Sequence, residues 1–438
     1  MIEQRHCVAV ESSFTQISPH FYHAVITVPQ SYVELLYLQA SKEQQKALAT
    51  QGFVKGNTPL SYITKNFQPH IIEHVKEFFF KYYVLNHLYR EITEKKIFLA
   101  GEPRLTEIVT TPSSAINYHF SITTAQPILL QGWKRIPFKA PKRKNYKDLD
   151  RQVKQFLEEE AQKKVLVVNT VSINDWICFS LTLLDDNNKP LFEEKAENFW
   201  LKMGNEEIDL PFYNVFKGKK VNDSFTCSDQ ILQECFSEQI ETFYTFLVTI
   251  HDIVPHIYFS IDLFKKQFHL RNNKEHTKLI EVFSYRHDLS QRRATVEDTL
   301  KLLLSKHFFE IPNHLILRQQ KDILEAVKSS HDYQVYKLQN DFNDKIKALA
   351  IKQVRESILI LQMAIYENIV VTHENIKEYL NLTKRPRTRE FIYFTPPVTK
   401  HFGREMPINE PYLSHTCLKE KTLNHIIYYL TKQKNESA

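Results

Sequence analysis

Two histidines four positions apart with a glutamate beside the second, His70-Ile71-Ile72-Glu73-His74, are the first group in this chain that could do chemistry. The order is that of an inverted zinc-protease helix, in which both imidazoles share one face and hold a metal while the carboxylate activates a water. Such a site needs a further ligand, and no second motif with a distal Glu follows. Nineteen histidines in 438 residues also make pairs of this kind frequent by chance. No metal is therefore expected there. The five cysteines, Cys7, Cys178, Cys227, Cys235 and Cys417, have no CxxC spacing and are odd in number. That points to a reducing compartment and away from a disulfide frame or a cysteine zinc site. No GxxxxGK[ST] phosphate loop occurs, so neither ATP nor any other cofactor is expected.

Binding is the better-supported chemistry. The chain has only seven glycines, and Gly52 and Gly56 fall four residues apart in GFVKGNTP, Gly52 to Pro59. At an average usage of about 7%, roughly four times as many glycines would be expected, so those retained stand where a side chain is not tolerated. A tight exposed loop is the simplest such place. Its tip carries an aromatic, Phe53, next to Val54 and a cation, Lys55. Pro59, with its preset φ, opens the following helix.

The elements that must position this loop read as strand and helix in alternation. HAVITV at 23–28 is a strand, 31–50 a helix, and 69–99 a long helix whose apolar residues Ile72, Val75, Phe79, Tyr82, Leu85, Leu88 and Ile92 form one stripe. Ile116, Tyr118, Phe120 and Ile122 alternate with polar neighbours, a half-buried antiparallel strand.

On these residues the chain resembles the trigger factors, ribosome-associated chaperones of bacteria. Their N-terminal loop has the pattern GFRxGKxP, which Gly52, Phe53, Lys55, Gly56 and Pro59 match; Val54 and Asn57 replace the usual Arg and Lys. Gly101-Glu102-Pro103 is similar to the family's GxP exit from the following helix. The resemblance extends to the strand-rich stretch 167–254, which is similar to the FKBP-type prolyl isomerase domain through Asn174-Asp175-Trp176, Phe199 to Gly204, Phe212 and Lys217 to Lys220. There the catalytic pattern fails. Leu181 stands where the family has an aromatic, Ser180 where it has an acid, Asp209-Leu210-Pro211 where it has Ile-Pro-Gly, and the FPxxY flap is missing. An isomerase needs an apolar floor and aromatic walls around the prolyl ring while the amide crosses a barrier of roughly 18–20 kcal/mol. Only Phe212 carries over, and a non-catalytic domain is expected.

Residues 255–438 read as nearly all helix. Ile351, Val354, Ile358, Leu361 and Ile365 form one stripe, and Ile360, Met363 and Ala364 another on the same helix. A helix apolar on two faces is either buried on both or exposed for a purpose. The run from Phe308 to Leu324, with Ile311-Pro312, resembles the start of a chaperone arm, and 358–380 resembles the second arm. Under that resemblance Phe308, Ile311, Leu315, Ile360 and Met363 are the candidate substrate-binding residues, with core packing as their alternative role. The Pro- and aromatic-rich tail from Arg385 to Pro411 is not matched to any part of the family.

Net charge is +6, mild for this length. It concentrates at 127–166, where 11 Lys and Arg face 5 Asp and Glu, a balance of +6, centred on Lys139, Lys142, Arg143, Lys144 and Lys147. A solvated, self-extended linker is the expected reading and contact with RNA phosphate the alternative. The first residues, MIEQRHCVAVESS, lack an apolar run, and no stretch approaches the roughly 18 apolar residues of a membrane span, so a cytoplasmic protein without membrane contact is expected.

The expected architecture is an elongated α+β multidomain chain: an N-terminal α+β ribosome-binding domain at 1–126, a basic linker at 127–166, an FKBP-like β-rich domain at 167–254, and an all-helical chaperone domain with arms at 255–438. The resemblance implies an ATP-independent chaperone that docks through Gly52, Phe53, Val54, Lys55, Gly56 and Pro59 on protein and RNA of the large ribosomal subunit near the exit tunnel. Its other partners would be unfolded nascent polypeptides, and it allows a homodimer away from the ribosome. Two alternatives stand beside it. One is an active prolyl isomerase that also binds chains. The other is a ribosome-independent holdase or assembly factor, suggested by Val54 and Asn57.

Overall fold

The two-residue period at 116–123 does form a strand, and its apolar side faces the core of a four-stranded antiparallel sheet. The computed structural model describes residues 10–110, 114–141, 170–192, 198–256, 287–328, 333–383, 389, 392–394, 396–397 and 399–432. The first sheet is built from β1 (Glu11–Ser18), β2 (Phe21–Val28), β3 (Arg104–Val109) and β4 (Ile116–Thr123) in the order β1-β2-β4-β3. Its register sets Ala24 opposite Phe120 and Ile26 opposite Tyr118, so the inward residues of neighbouring strands pack as cross-strand pairs. β1 and β3 carry weaker apolar alternation and escape the sequence reading.

Helices α1 (Gln30–Ala47) and α2 (Leu60–Asn66) flank the glycine loop. The long helix follows as α3 (Gln68–Phe79), a π-turn (Phe80–Val84) and α4 (Leu85–Glu94), with Lys96 in the left-handed region at φ 51° just beyond its end. The helix is thus interrupted by a π-turn and stops short of residue 99.

The second sheet takes β5 (Trp176–Leu183), β6 (Phe199–Lys202), β7 (Ser224–Cys227), β8 (Phe246–Val254) and a two-residue strand from far along the chain, β11 (Ile408–Asn409), in the order β11-β6-β5-β8-β7. All eight residues of β5, WICFSLTL, are buried. A nearly continuous apolar run of this kind belongs to a strand covered on both faces, and the coverings can be named. Ile177, Phe179, Leu181 and Leu183 share one core with Phe78, Phe79 and Tyr82 of the long helix. Trp176 and Cys178 pack with Trp200 against Ile376, Tyr379, Leu413 and Cys417 on the other side. Composition alone allows each part its own core; the structure joins the N-terminal part and the second sheet in one. Tyr82 is the bolt between them: its hydroxyl donates to Leu181 O at 3.2 Å and accepts from Leu183 N at 3.1 Å. Those are backbone groups beyond the reach of β6, whose pairing with β5 spans only Trp176 to Phe179.

Small helices α5 (Leu210–Phe216) and α6 (Gln230–Glu234) close the sheet's edge. The C-terminal part comprises α7 (His287–Lys306), α8 (Asn313–Lys328), α9 (Tyr333–Lys337), α10 (Phe342–Tyr366), α11 (His373–Thr383) and α12 (Glu410–Lys432). A small hairpin, β9 (Lys400–His401) with β10 (Arg404–Glu405), precedes β11. The doubly apolar helix α10 is buried on both faces from Val354 to Ala364, against Leu300 and Leu303 of α7 and Leu423 and Ile426 of α12. The start of the basic linker is anchored to this bundle through a few apolar residues while its charged ones stay at the surface. Trp133 is buried against this bundle, its indole N–H donates to Glu367 Oε1 at 2.9 Å, and Gln362 bonds both Ile128 N and Gln126 O. Apolar residues among the lysines explain the difference, because Ile128, Trp133 and Ile136 anchor the segment. The remaining run, Lys142 to Lys147, and the rest of the linker to residue 166 lie outside the described residues. Among the described residues no helix is long and apolar enough to cross a membrane.

Candidate functional site

The GFVKGNTP loop is two successive turns on a fixed base. Gly52 and Gly56 sit at φ +89° and +84°, and a Cβ at either would meet nothing within 4 Å. Backbone conformation rather than crowding therefore selects glycine here. Phe53 N donates to Thr50 O at 3.0 Å and Asn57 N to Val54 O at 2.9 Å, closing the turns. The base is pinned by Gln45 Nε2, which donates to Thr58 O at 2.6 Å, with Thr58 fully buried. Pro59 precedes α2, and its carbonyl accepts from Tyr62 and Ile63. The tip is open: Phe53 is 39% exposed, Val54 73%, and Lys55 is exposed beside them. Phe53 leans on Tyr62, also exposed, with ring centroids 5.5 Å apart. Tyr62 is the member that sequence reasoning missed. Its signal was available, since it lies three residues after Pro59 on the first turn of the helix.

The five candidate substrate-binding residues separate. Phe308 is 82% exposed and Ile311 half-buried, whereas Leu315, Ile360 and Met363 are buried in the helical core. For Ile360 and Met363 the reason is the double covering of α10 described above. For Leu315 it is a joint: a Cβ on Gly101 would stand 2.9 Å from its Cδ2, so the Gly101-Glu102-Pro103 exit is shaped to receive it. Next to that contact His314 bonds Thr123 at 2.9 Å, and Arg318 pairs with Glu102 at 3.0 Å. Exposed apolar side chains of the helical part include instead Phe308, Leu317, Val335, Leu338 and Leu349, on and around the paired helices α8 and α10, with Leu338 83% exposed, and Val370 beyond the end of α10.

His70 and His74 do not make a metal pair. His70 is exposed, while His74 is buried in the shared core with its Nε2 2.8 Å from the Tyr244 hydroxyl. Burial pushes this imidazole down to about 4, so it stays neutral. Glu73 between them is tied to Lys76 at 2.7 Å.

A cavity of about 590 Å³ lies between the sheet (Leu181, Phe199), Phe236 just beyond α6, the long helix (Leu85, Tyr89) and a strap formed by 399–409. Phe212, the one residue carried over from the isomerase pattern, is buried in the core rather than lining it. The strap is tied on at several points. Glu405 N donates to Asp209 Oδ1 at 2.8 Å, Arg404 pairs with Glu234 at 2.7 Å, Lys400 pairs with Glu206, and Ile408 and Asn409 pair with Trp200 and Phe199 as β11. The Cys235 thiol and Tyr412 phenol in the cavity wall are both pushed up to about 12, chiefly by burial, and remain neutral.

Known proteins resemble this chain along much of its length. Two family profiles match the chain: "Bacterial trigger factor protein (TF)" over residues 10–159 and "Bacterial trigger factor protein (TF) C-terminus" over 284–389. Trigger factor of Rickettsia rickettsii (strain Sheila Smith) is 21% identical over 431 residues, covering 95% of this chain and 93% of that protein. The trigger factor of Geotalea uraniireducens (strain Rf4) is 22% identical over 364 residues, covering 80% and 82%. A solved structure titled "Promiscuous Substrate Recognition in Folding and Assembly Activities of the Trigger Factor Chaperone" aligns with 95% of this chain and 99% of that one at 15% identity and a TM-score of 0.38, too low to carry over any detail of arrangement. Fold and matches together define a multidomain α+β chaperone of protein folding that binds substrate polypeptides. The chain belongs to the trigger factor family.

Proposed function

We propose that this chaperone works without ATP, anchors through its 52–59 loop at the exit tunnel of the large ribosomal subunit in the cytoplasm, and shields emerging chains on the exposed apolar residues of its helical part. One observation carries the reading: Phe53, Val54 and Lys55 stand exposed on a loop whose two glycines and pinned base serve no evident packing purpose. No covalent chemistry is required. Weak burial of apolar client segments delays misassociation and permits quick release. Tethering at the exit supplies an effective concentration approaching the millimolar range, so modest intrinsic affinity suffices. The 167–254 region is read as a non-catalytic support, because Ser180, Leu181 and Asp209-Leu210-Pro211 depart from the isomerase pattern and Phe212 is buried in the core.

Cosedimentation with ribosomes tests the anchor. Alanine at 53–55 should weaken binding while stability changes by no more than about 0.5 kcal/mol, as for other exposed substitutions. Restoring Arg at Val54 and Lys at Asn57 should tighten binding and steepen its salt dependence. Undiminished cosedimentation of the triple variant would remove the anchor and favour the second reading, a ribosome-independent holdase. That reading is supported by the apolar Val54, 73% exposed at the tip.

A further inference from the structure

We propose that Cys178, His373 and Glu410 form a site for a thiophilic divalent cation, Zn²⁺ foremost, that clamps the second sheet to the C-terminal helices. The three residues come from β5, the first turn of α11 and the first turn of α12. Their donor atoms lie within 4.8 Å of one another. Cys178 Sγ is 3.8 Å and His373 Nδ1 3.7 Å from the same oxygen, Glu410 Oε2. Tetrahedral zinc with bonds of about 2.3 Å to sulfur and about 2.0–2.1 Å to nitrogen and oxygen places its donors about 3.3–3.6 Å apart. Two edges of the triangle are therefore within a few tenths of an ångström of coordination geometry before any ion is bound, and the third is no longer than 4.8 Å.

The surroundings fit the same reading. His373 Nε2 lies 3.2 Å from Asp252 Oδ2, and Asp252 is in turn held by Lys377 at 2.8 Å. A carboxylate on the far nitrogen is the usual device that orients a metal-bound imidazole and fixes its tautomer. In the tautomer whose Nε2 proton points at Asp252, Nδ1 presents its lone pair to Glu410 Oε2 at 3.7 Å, and the same oxygen accepts from the Cys178 S–H at 3.8 Å. A cation at this corner would take the place of the thiol proton, which leaves on binding. The Trp200 indole N–H donates to Glu410 Oε2 at 3.1 Å, and its ring lies 5.2 Å from the imidazole, which fixes two of the ligands further. Cys178 is buried, while the His373 and Glu410 side chains retain 35% and 23% exposure, so an ion has a way in and a water can take the fourth position. A thiolate-imidazole-carboxylate set favours zinc over magnesium or calcium, which take all-oxygen shells.

Cobalt(II) substitution in the reduced, chelator-stripped full chain tests the site. One equivalent of Co²⁺ should produce a thiolate-to-cobalt charge-transfer band and tetrahedral d–d bands, and one equivalent of Zn²⁺ should abolish both. Cys178→Ser should lose the charge-transfer band, whereas Cys227→Ser and Cys417→Ser should keep it; histidines elsewhere that take up cobalt cannot imitate a thiolate band. Asp252→Asn, a positioning change, should weaken zinc affinity about 10- to 100-fold. Zn²⁺ should raise the melting temperature of the wild type and not that of Cys178→Ser. If that variant does not fold, Glu410→Gln provides the same comparison, with its amide oxygen still able to accept from Trp200. Absence of the thiolate band in the wild type, its survival in Cys178→Ser, or equal stabilisation of wild type and the ligand variant by Zn²⁺ would each overturn the proposal.

Discussion

Removing one oxygen from Tyr82 should loosen two parts of the molecule together. The Tyr82 hydroxyl is buried and serves two backbone groups of β5, donating to Leu181 O at 3.2 Å and accepting from Leu183 N at 3.1 Å. In Tyr82→Phe both groups lose that partner in a dry core. A buried polar group left without a partner costs about 1–3 kcal/mol, so the pair should cost about 2–4 kcal/mol after local relaxation. For a cooperative unit of about 150–250 residues, each kcal/mol moves the melting temperature roughly 2–4 °C, giving a fall of about 5–15 °C by calorimetry. Tyr83→Phe is the internal control. The Tyr83 hydroxyl is also buried yet has no hydrogen-bond partner, so the same chemical change there should be neutral within about 0.5 kcal/mol or slightly stabilising. Hydrogen exchange then locates the effect: amides of β5 and of the long helix should speed up by the same factor in Tyr82→Phe if one core serves both. Equal melting temperatures for the two variants would refute the hydrogen-bond argument. Acceleration confined to β5 would refute the shared core.

Three further outcomes follow from the same structure. His74 holds off protonation to about 4 in the folded state, against about 6.5 when unfolded, so folding stability should fall as pH drops through 6.5 and level off near 4. At 1.36 kcal/mol per pH unit the loss is about 3 kcal/mol, and denaturant titrations at several pH values should show it flattened in His74→Gln. Met363→Ala and Ile360→Ala should each cost about 2–5 kcal/mol as core cavities. Leu338→Ser and Phe308→Ser should leave stability within about 0.5 kcal/mol while lowering suppression of aggregation of an unfolded client; the opposite pattern would return the client surface to α10. In a prolyl-peptide assay the chain should have no appreciable turnover, and a catalytic efficiency comparable with ordinary FKBP enzymes would contradict the non-catalytic reading.

What the sequence disclosed depends on the range over which each feature is specified. The 52–59 loop was legible because its geometry is local: positive φ at Gly52 and Gly56 and the turn into α2 after Pro59 need only neighbouring residues. β4 and the long helix were legible for the same reason, through periods of two and of three to four. The two apolar faces of α10 announced a choice, burial or exposure, that local pattern could not make. Leu300, Leu303, Leu423 and Ile426, residues distant along the chain, decide it. The strap is the hardest case. Two residues, Ile408 and Asn409, join β6 through pairing with Trp200 and Phe199, and so short a strand has no period to detect. Yet that pairing positions everything after it. Glu410 follows at once, its backbone N–H bonded to Asn198 O at 3.0 Å, and its carboxylate is thereby set beside Cys178 and His373. A search by cysteine spacing excludes a zinc site because it presumes ligands near one another in sequence. Here the spacing is supplied by an added strand, so the exclusion holds only for sites that a single chain segment can build.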